Sequence, residues 1–156
     1  MITIGITGPT GCGKTTFLRE IAARGGEIVD CDALYYELLR TDPALKNALT
    51  AAFGDIFLPD GTLDRKSLAA QVFSDKASLD KLNGIVFFCV GNAVAEKKRQ
   101  AEAAKTPIFA IDAINLIESG MGAACEETVA VLAPRELRLS RIMARDDLTE
   151  AAARAR

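Results

Sequence analysis

Residues 2–15 of the chain read ITIGITGPTGCGKT. The isoleucines alternate with small residues at positions 2, 4 and 6, which is typical of a short buried strand that stops at Gly8. Apolar residues at helical spacing then predict a helix over Thr15–Ala23, which Gly25 and Gly26 end. A second strand is predicted at 27–29. Strand, loop, helix and strand in this order predict a βαβ unit and hence a parallel sheet.

The loop between the first strand and helix matches the pattern G-x-x-x-x-G-K-[ST] in full, from Gly8 to Thr15. Glycines let successive backbone N–H groups turn inward around an anion, and the following helix adds the positive end of its dipole. Lys14 is expected to reach the β- and γ-phosphates of a nucleotide, and the Thr15 hydroxyl to bind Mg²⁺. For Cys12 the backbone N–H is expected to matter more than the thiol.

Carboxylates follow two other predicted strands. Asp112 ends the apolar run 108–111, where a parallel sheet would present a second Mg²⁺ ligand. Asp30 and Asp32 follow the strand at 27–29, and in an extended segment their side chains would share one face. Asp32 is predicted to accept a hydroxyl proton, with an N-cap of the next helix as the alternative, and Asp30 is predicted to contribute to the metal site.

Three further segments of the chain show helical or strand patterns. Residues 33–105 show helical periodicity broken at Asp42-Pro43 and at 59–61, and are interpreted as a helical insertion. The apolar run 128–132 resembles another buried strand. The helix after Pro134 is predicted to carry Leu137 and Ile142 on one side and Arg138, Arg141 and Arg145 on another. Those arginines either close over the transferred phosphate or form a solvated helix face.

Composition excludes several classes of protein. At 156 residues, with 49% hydrophobic and 26% charged residues, the chain fits one globular domain rather than a disordered or coiled-coil protein. A net charge of −2 gives no broad basic face for nucleic acid. Four scattered cysteines favour a reduced cytoplasmic location over a zinc site or disulfides, and no signal peptide or membrane span is expected. Because histidine is absent, any acid–base chemistry depends on carboxylates, lysine, cysteine or tyrosine.

Taken together, these motifs resemble the dephospho-CoA kinase family. The resemblance rests on stretches that occur in this order along nearly the whole chain: 5–16, 29–32, 60–68, 72–75, Asp112 with 118–120, 133–136 and 141–149. The segments Asp60-Gly61-Thr62-Leu63-Asp64-Arg65-Lys66-Ser67-Leu68 and Met143-Ala144-Arg145-Asp146 are specific to the family, whereas the phosphate loop alone would not identify a substrate.

The resemblance implies ATP-dependent phosphorylation of the ribose 3′-hydroxyl of dephospho-CoA, giving CoA and ADP. It also implies a three-layer α/β P-loop fold with a parallel-sheet core (1–32 and 106–134), a helical substrate-binding insertion (33–105) and a lid (135–156). By position, residues 11–16, including Thr16, would hold the ATP phosphates and Asp32 would match the proposed base. Catalytic roles are expected for Asp32, Lys14, Arg141 and Arg145, and metal binding for Thr15, Asp112 and Asp30.

The chain departs from the family pattern in two places. Phe87 stands where the family commonly has a histidine. Relatives also continue past the lid into a further strand and helix, so the chain is expected to be shortened, with less buried apolar surface and weaker nucleotide affinity. The alternatives are another P-loop kinase acting on a nucleotide or small molecule, and a degenerate module that binds ATP without transferring phosphate. Oligomeric state is not predicted.

Overall fold

A computed structural model describes residues 1–154 of the chain. It is an α/β protein, as predicted. The strands are β1 (Ile2–Thr7), β2 (Glu27–Asp30), β3 (Ile108–Asp112) and β4 (Glu127–Ala130). The helices are α1 (Lys14–Ala23), α2 (Cys31–Thr41), α3 (Pro43–Phe53), α4 (Arg65–Val72), α5 (Lys76–Ala103), α6 (Arg135–Asp146) and α7 (Glu150–Arg154), with a 3₁₀ turn at Met121–Ala124.

The four strands form one sheet in the order β2-β3-β1-β4. β1 pairs in parallel with β3, where Ile6 lies opposite Asp112, and with β4, where Ile6 lies opposite Val129. β3 therefore lies between the first two strands of the chain, so β1 and β2 are not direct neighbours. Since β1 is an inner strand, the loop that leaves its carboxyl end opens at the edge of the sheet where ligands bind in such folds.

By its contacts the chain divides into a sheet unit (Met1–Val29 with Lys98–Arg156) and a helical unit (Asp30–Lys97). In the sheet unit, Ile21 and Leu18 of α1 pack on Ile6 of β1 and Ala110 of β3. Leu18 and Ile21 lie about one helical turn apart, so both face the sheet. The apolar periodicity in the sequence therefore indicates the helix face that packs on the sheet.

The fourth strand differs from its prediction. β4 ends at Ala130 rather than at 132, and three of its four residues are exposed. Leu132 is 76% exposed. The prediction of a buried strand was wrong because a continuous apolar run is also compatible with the outermost strand of a sheet, which is where β4 lies.

The helical unit has a core of its own. The boundary between α2 and α3 falls at the predicted break, where the Asp42 carboxylate accepts a hydrogen bond from Ala44 N at 2.9 Å and Pro43 occupies the first turn. α2, α3, α4 and the segment between α3 and α4 all contribute buried apolar side chains to one cluster, which consists of Leu39, Leu45, Leu49, Phe53, Ile56, Leu68 and Val72.

Helix α6 forms as predicted but buries a different set of residues. Leu139 and Ile142 are buried, whereas Leu137 is 43% exposed. Leu139 and Ile142 pack with Ala153 of α7. The predicted lid extends to residue 156, and its last two residues lie outside the described part of the chain. Among residues 1–154, none of the helices is both long and apolar enough to cross a lipid bilayer.

Candidate active site

The candidate nucleotide site is the loop between β1 and α1. Its backbone enters the left-handed region of φ at Gly8 (144°), Gly11 (80°) and Gly13 (104°), conformations that L side chains rarely adopt. The motif glycines at these positions are therefore required by the path of the chain. Thr15 and Thr16 lie in the first turn of α1, so their backbone N–H groups belong to the positive end of that helix.

Three loop carbonyls accept hydrogen bonds from residues of the motif or from Thr16, which follows it. The Lys14 ammonium donates to Gly8 O at 2.8 Å. Cys12 N donates to Pro9 O at 3.2 Å, and Thr16 N donates to Gly13 O at 3.0 Å. The Cys12 thiol is buried. The backbone N–H of Cys12 thus closes a turn inside the loop.

Helix α6 supplies donors to the three remaining carbonyls. Arg138 Nε donates to Thr10 O at 3.0 Å. Arg141 donates to Gly11 O at 3.2 Å and to Cys12 O at 3.3 Å. Every carbonyl from Gly8 to Gly13 therefore accepts a hydrogen bond. The sequence suggested that these arginines either contact the transferred phosphate or form a solvated helix face. It did not indicate that they contact the backbone of the loop.

Arg145, the third predicted lid arginine, lies one turn beyond Arg141. Its guanidinium makes two hydrogen bonds with the neighbouring Asp146 carboxylate, at 2.7 and 2.9 Å. These hydrogen bonds raise the pKa of Arg145. The pair uses two of the five guanidinium N–H donors, which leaves three for a phosphate, and the catalytic role of Arg145 stays a prediction.

The backbone of α6 also lies against the loop. A Cβ atom built on Gly11 would be 2.8 Å from Arg138 O and 3.1 Å from the Ile142 side chain. A Cβ atom on Gly8 would be 2.3 Å from Val131 O. The distances to the two backbone oxygens, Arg138 O and Val131 O, are shorter than real contacts between such atoms, so the two glycines are required by space as well as by φ.

We expect Gly11→Ala to weaken ATP binding at least about tenfold, because the new methyl group strains φ and moves the loop away from α6. Calorimetric titration with ATP measures the effect. The matched control is Gly91→Ala in α5, where a Cβ atom would meet nothing within 4 Å. This control should bind ATP normally and gain about 0.5–1 kcal/mol of stability. Equal ATP affinity in the two variants would contradict the close approach.

Asp112 and Thr15 were predicted as metal ligands. Asp112 is the last residue of β3, half-buried, with Oδ1 inaccessible to solvent. It pairs in register with Ile6 of β1, two residues before the loop begins. Thr15 is exposed in the first turn of α1. Both are hard oxygen donors of the kind that Mg²⁺ takes alongside substrate phosphates and water.

Asp30 and Asp32 do not share an extended segment, contrary to prediction. β2 ends at Asp30 and α2 begins at the very next residue, Cys31. Asp30 is the N-cap, and its carboxylate accepts a hydrogen bond from Ala33 N at 2.9 Å. The capping role considered for Asp32 therefore falls to Asp30. Asp32 lies in the first helical turn, where the helix dipole stabilises its negative charge.

The helical unit contains a positively charged cavity that sequence reasoning missed. Its volume is about 550 Å³, and its lining includes Tyr36, Arg40, Lys46, Asp60 and Arg65. The Arg65 guanidinium lies 4.7 Å from the centre of the Tyr36 ring. The one carboxylate, that of Asp60, accepts hydrogen bonds from the backbone and hydroxyl of Thr62. The cavity therefore offers three cations to an anionic ligand.

The motif at residues 60–68 shapes this cavity. Gly61 takes a left-handed φ of 80° in the turn, and Lys46 donates to its carbonyl at 3.4 Å. Asp64 caps α4 by accepting from Lys66 N and Ser67 N, which places Arg65 at the first helical position. The motif at 60–68 was therefore a sequence signal for one part of the cavity. Arg40 and Lys46 belong to other helices, and no local sequence pattern shows that they lie beside this motif.

Comparisons with known proteins identify the family to which the chain is similar. The family model for dephospho-CoA kinases matches residues 2–156. A dephospho-CoA kinase from Anaeromyxobacter dehalogenans is 37% identical over 157 residues, which cover 100% of this chain and 74% of the relative. One from Corynebacterium jeikeium is 35% identical and is covered to 80%. One from Mycolicibacterium paratuberculosis is 41% identical, but the chain spans 38% of its length.

Solved structures show the same likeness. A crystal structure of a Thermus thermophilus protein superposes with a TM-score of 0.81 at 32% identity, covering 99% of this chain and 78% of that one. Dephospho-CoA kinase from Campylobacter jejuni gives a TM-score of 0.64 at 25% identity, with coverages of 98% and 77%. With a complete phosphate loop and a family match over almost its full length, the chain belongs to the dephospho-CoA kinase family.

Proposed function

We propose that the chain transfers the γ-phosphoryl group of ATP to the ribose 3′-hydroxyl of dephospho-CoA, giving CoA and ADP. The observation that carries this proposal is the phosphate loop, whose six carbonyls all accept hydrogen bonds from groups of the chain itself. Family membership supplies the acceptor. A cytoplasmic location, where ATP and reduced CoA precursors occur, is part of the same proposal.

Lys14, Arg141 and Arg145 would supply positive charge to the phosphoryl group as it moves. Lys14 has three donors, so its hydrogen bond to Gly8 O leaves two for phosphate oxygens. Asp32 would accept the proton of the 3′-hydroxyl, because the chain has no histidine for this task. Asp30, whose carboxylate caps α2, stays a candidate for the metal site through its remaining lone pairs.

Thr15 and Asp112 fit Mg²⁺ by their chemistry, and when bound the ion would neutralise charge on the β- and γ-phosphates. Within residues 1–154, no group of three or more carboxylate, thiol or imidazole side chains is placed to hold a metal. This fits an ion that shares its ligands with a nucleotide and water rather than one held by the protein alone.

We place the acceptor's diphosphate in the cavity of the helical unit. A diphosphate carries charge that Arg40, Lys46 and Arg65 can pair, and guanidinium groups match phosphate oxygens with two parallel donors. A second, apolar cavity of about 200 Å³ shares Tyr36, Leu63 and Arg65 with the first. It offers space for an apolar portion of the same ligand.

The acceptor site predicts a selective effect on one substrate. We expect Arg65→Met to raise the KM for dephospho-CoA about tenfold while the KM for ATP stays unchanged, because one charge-assisted contact is lost. Steady-state kinetics with each substrate varied in turn measures this. Lys66→Met, which removes the adjacent exposed cation outside the cavity lining, is the control. An equal KM in both variants would remove Arg65 from the acceptor site.

The proposed reaction is tested by incubating the purified chain with ATP and dephospho-CoA and following CoA and ADP by mass spectrometry. We expect both products in equal amounts, and none after chelation of divalent metal. AMP and adenosine serve as competing acceptors, and faster phosphorylation of either would assign the chain to another kinase activity. ATP binding without any turnover would contradict catalysis and identify a binding module.

A further inference from the structure

We propose that Arg138 is a positioning residue that holds the phosphate loop in its nucleotide-binding conformation before a nucleotide arrives. The inference rests on the proposed function only in taking the loop as the ATP site. It separates Arg138 from Lys14, which is expected to touch phosphate itself.

The first observation is the direction of one peptide group. Arg138 Nε lies 3.0 Å from Thr10 O. A peptide group is planar and trans, so its C=O and N–H point in opposite directions. The carbonyl of Thr10 shares its peptide group with the N–H of Gly11. By drawing that carbonyl toward α6, Arg138 turns the Gly11 N–H away from α6.

The second step concerns what this orientation means for an anion held by the loop. If the Thr10–Gly11 peptide group rotated, its carbonyl oxygen would replace the N–H, and a partial negative charge would repel phosphate. Glycine at position 11 places little steric restriction on such a rotation. The hydrogen bond from Arg138 to Thr10 O therefore favours one of the two orientations of this peptide group.

The third observation is that the buried side of α6 lies against the loop. Leu139 and Ile142, which flank the arginine contacts, are 7% and 2% exposed and pack with α7. Ile142 also lies against Gly11, within 3.1 Å of where a Cβ atom would be. Because Ile142 of the same helix lies against the loop, the half-buried Arg138 reaches Thr10 O from a defined position.

The variant Arg138→Met tests the role, because it removes the donor and keeps an unbranched apolar stem. Backbone N–H groups of such loops cradle the α- and β-phosphates, which ATP and ADP share. We therefore expect ATP and ADP binding, measured by calorimetry, to weaken by the same factor of about ten. Arg138→Lys, which restores a cationic donor, should recover part of the affinity.

The matched control is Arg135→Met, an exposed arginine at the start of the same helix. It should bind both nucleotides as the unmodified chain does. A second readout needs no nucleotide: in ¹⁵N-labelled protein the Gly11 amide resonance should shift in Arg138→Met and remain in place in Arg135→Met. This readout and a thermal melt distinguish a local change in the loop from a loss of the fold.

The outcomes are distinct. Loss of ATP affinity with normal ADP affinity would overturn the proposal, since it would place Arg138 on the γ-phosphate. Normal affinity for both nucleotides in Arg138→Met would overturn it as well, while leaving the proposed kinase activity intact. If the unmodified chain bound neither nucleotide, the proposed function itself would fail. Equal weakening of ATP and ADP with a shifted Gly11 amide would support the positioning role.

Discussion

Asp32→Asn is expected to lower kcat by about 10²–10⁴-fold while the KM values for ATP and dephospho-CoA change little. Asparagine has the same size but does not accept a proton from the attacking hydroxyl. The fold should persist, because the carboxylate's favourable interaction with the N-terminus of α2 is worth only about 0.3–1 kcal/mol. Steady-state kinetics, with circular dichroism to verify the fold, provides the measurement.

The control for this variant is Glu37→Gln, which removes an exposed carboxylate from the same helix. It should retain the kcat of the unmodified chain. If Asp32→Asn also kept full activity, the base would have to be another group, and the placement of Asp32 in the first turn of α2 would have only a structural purpose.

The second large effect is expected for Lys14→Met, which should reduce kcat/KM for ATP by about 10²–10³-fold. Two losses combine in this variant. The cation for the β- and γ-phosphates disappears, and the Gly8 carbonyl loses its hydrogen-bond donor. Calorimetry with ATP, run beside the kinetics, separates weaker binding from a slower chemical step.

Arg19→Met serves as the comparison for Lys14→Met, because Arg19 is an exposed cation on the same helix, one turn further along. Normal ATP binding and turnover are expected for it. If Lys14→Met bound and used ATP like this comparison variant, the loop would not be the nucleotide site, whatever its resemblance to one.

The sequence predicted the phosphate loop well because the loop is local. One continuous run of residues supplies its glycines, its lysine and the helix that follows. Asp112 was located for a similar reason, since a short apolar run ended by a charge is a strong signal for the end of a buried strand. Helix α6 was also found, although its buried face was assigned to Leu137 instead of Leu139.

Other parts of the site depend on contacts that no local pattern encodes. The change from strand to helix at Asp30 and Cys31 occurs within one residue, so an extended segment and a helix start looked alike in the sequence. Arg138 lies 128 positions from the carbonyl that it contacts. The cations of the cavity come from α2, α3 and α4, and only their packing around a common core brings them together.

The register of the sheet also determines the order in which the two units can be completed. Ile2 pairs with Ile108, and Ile4 pairs with Glu127, so β1 meets its partners only after more than a hundred intervening residues exist. The helical unit, by contrast, is one uninterrupted segment, Asp30–Lys97, whose contacts close much shorter loops. Closing a longer loop costs more chain entropy, and folds dominated by such distant pairings form more slowly. On a ribosome, the helical unit is therefore complete in sequence while the first strand still lacks both of its neighbours.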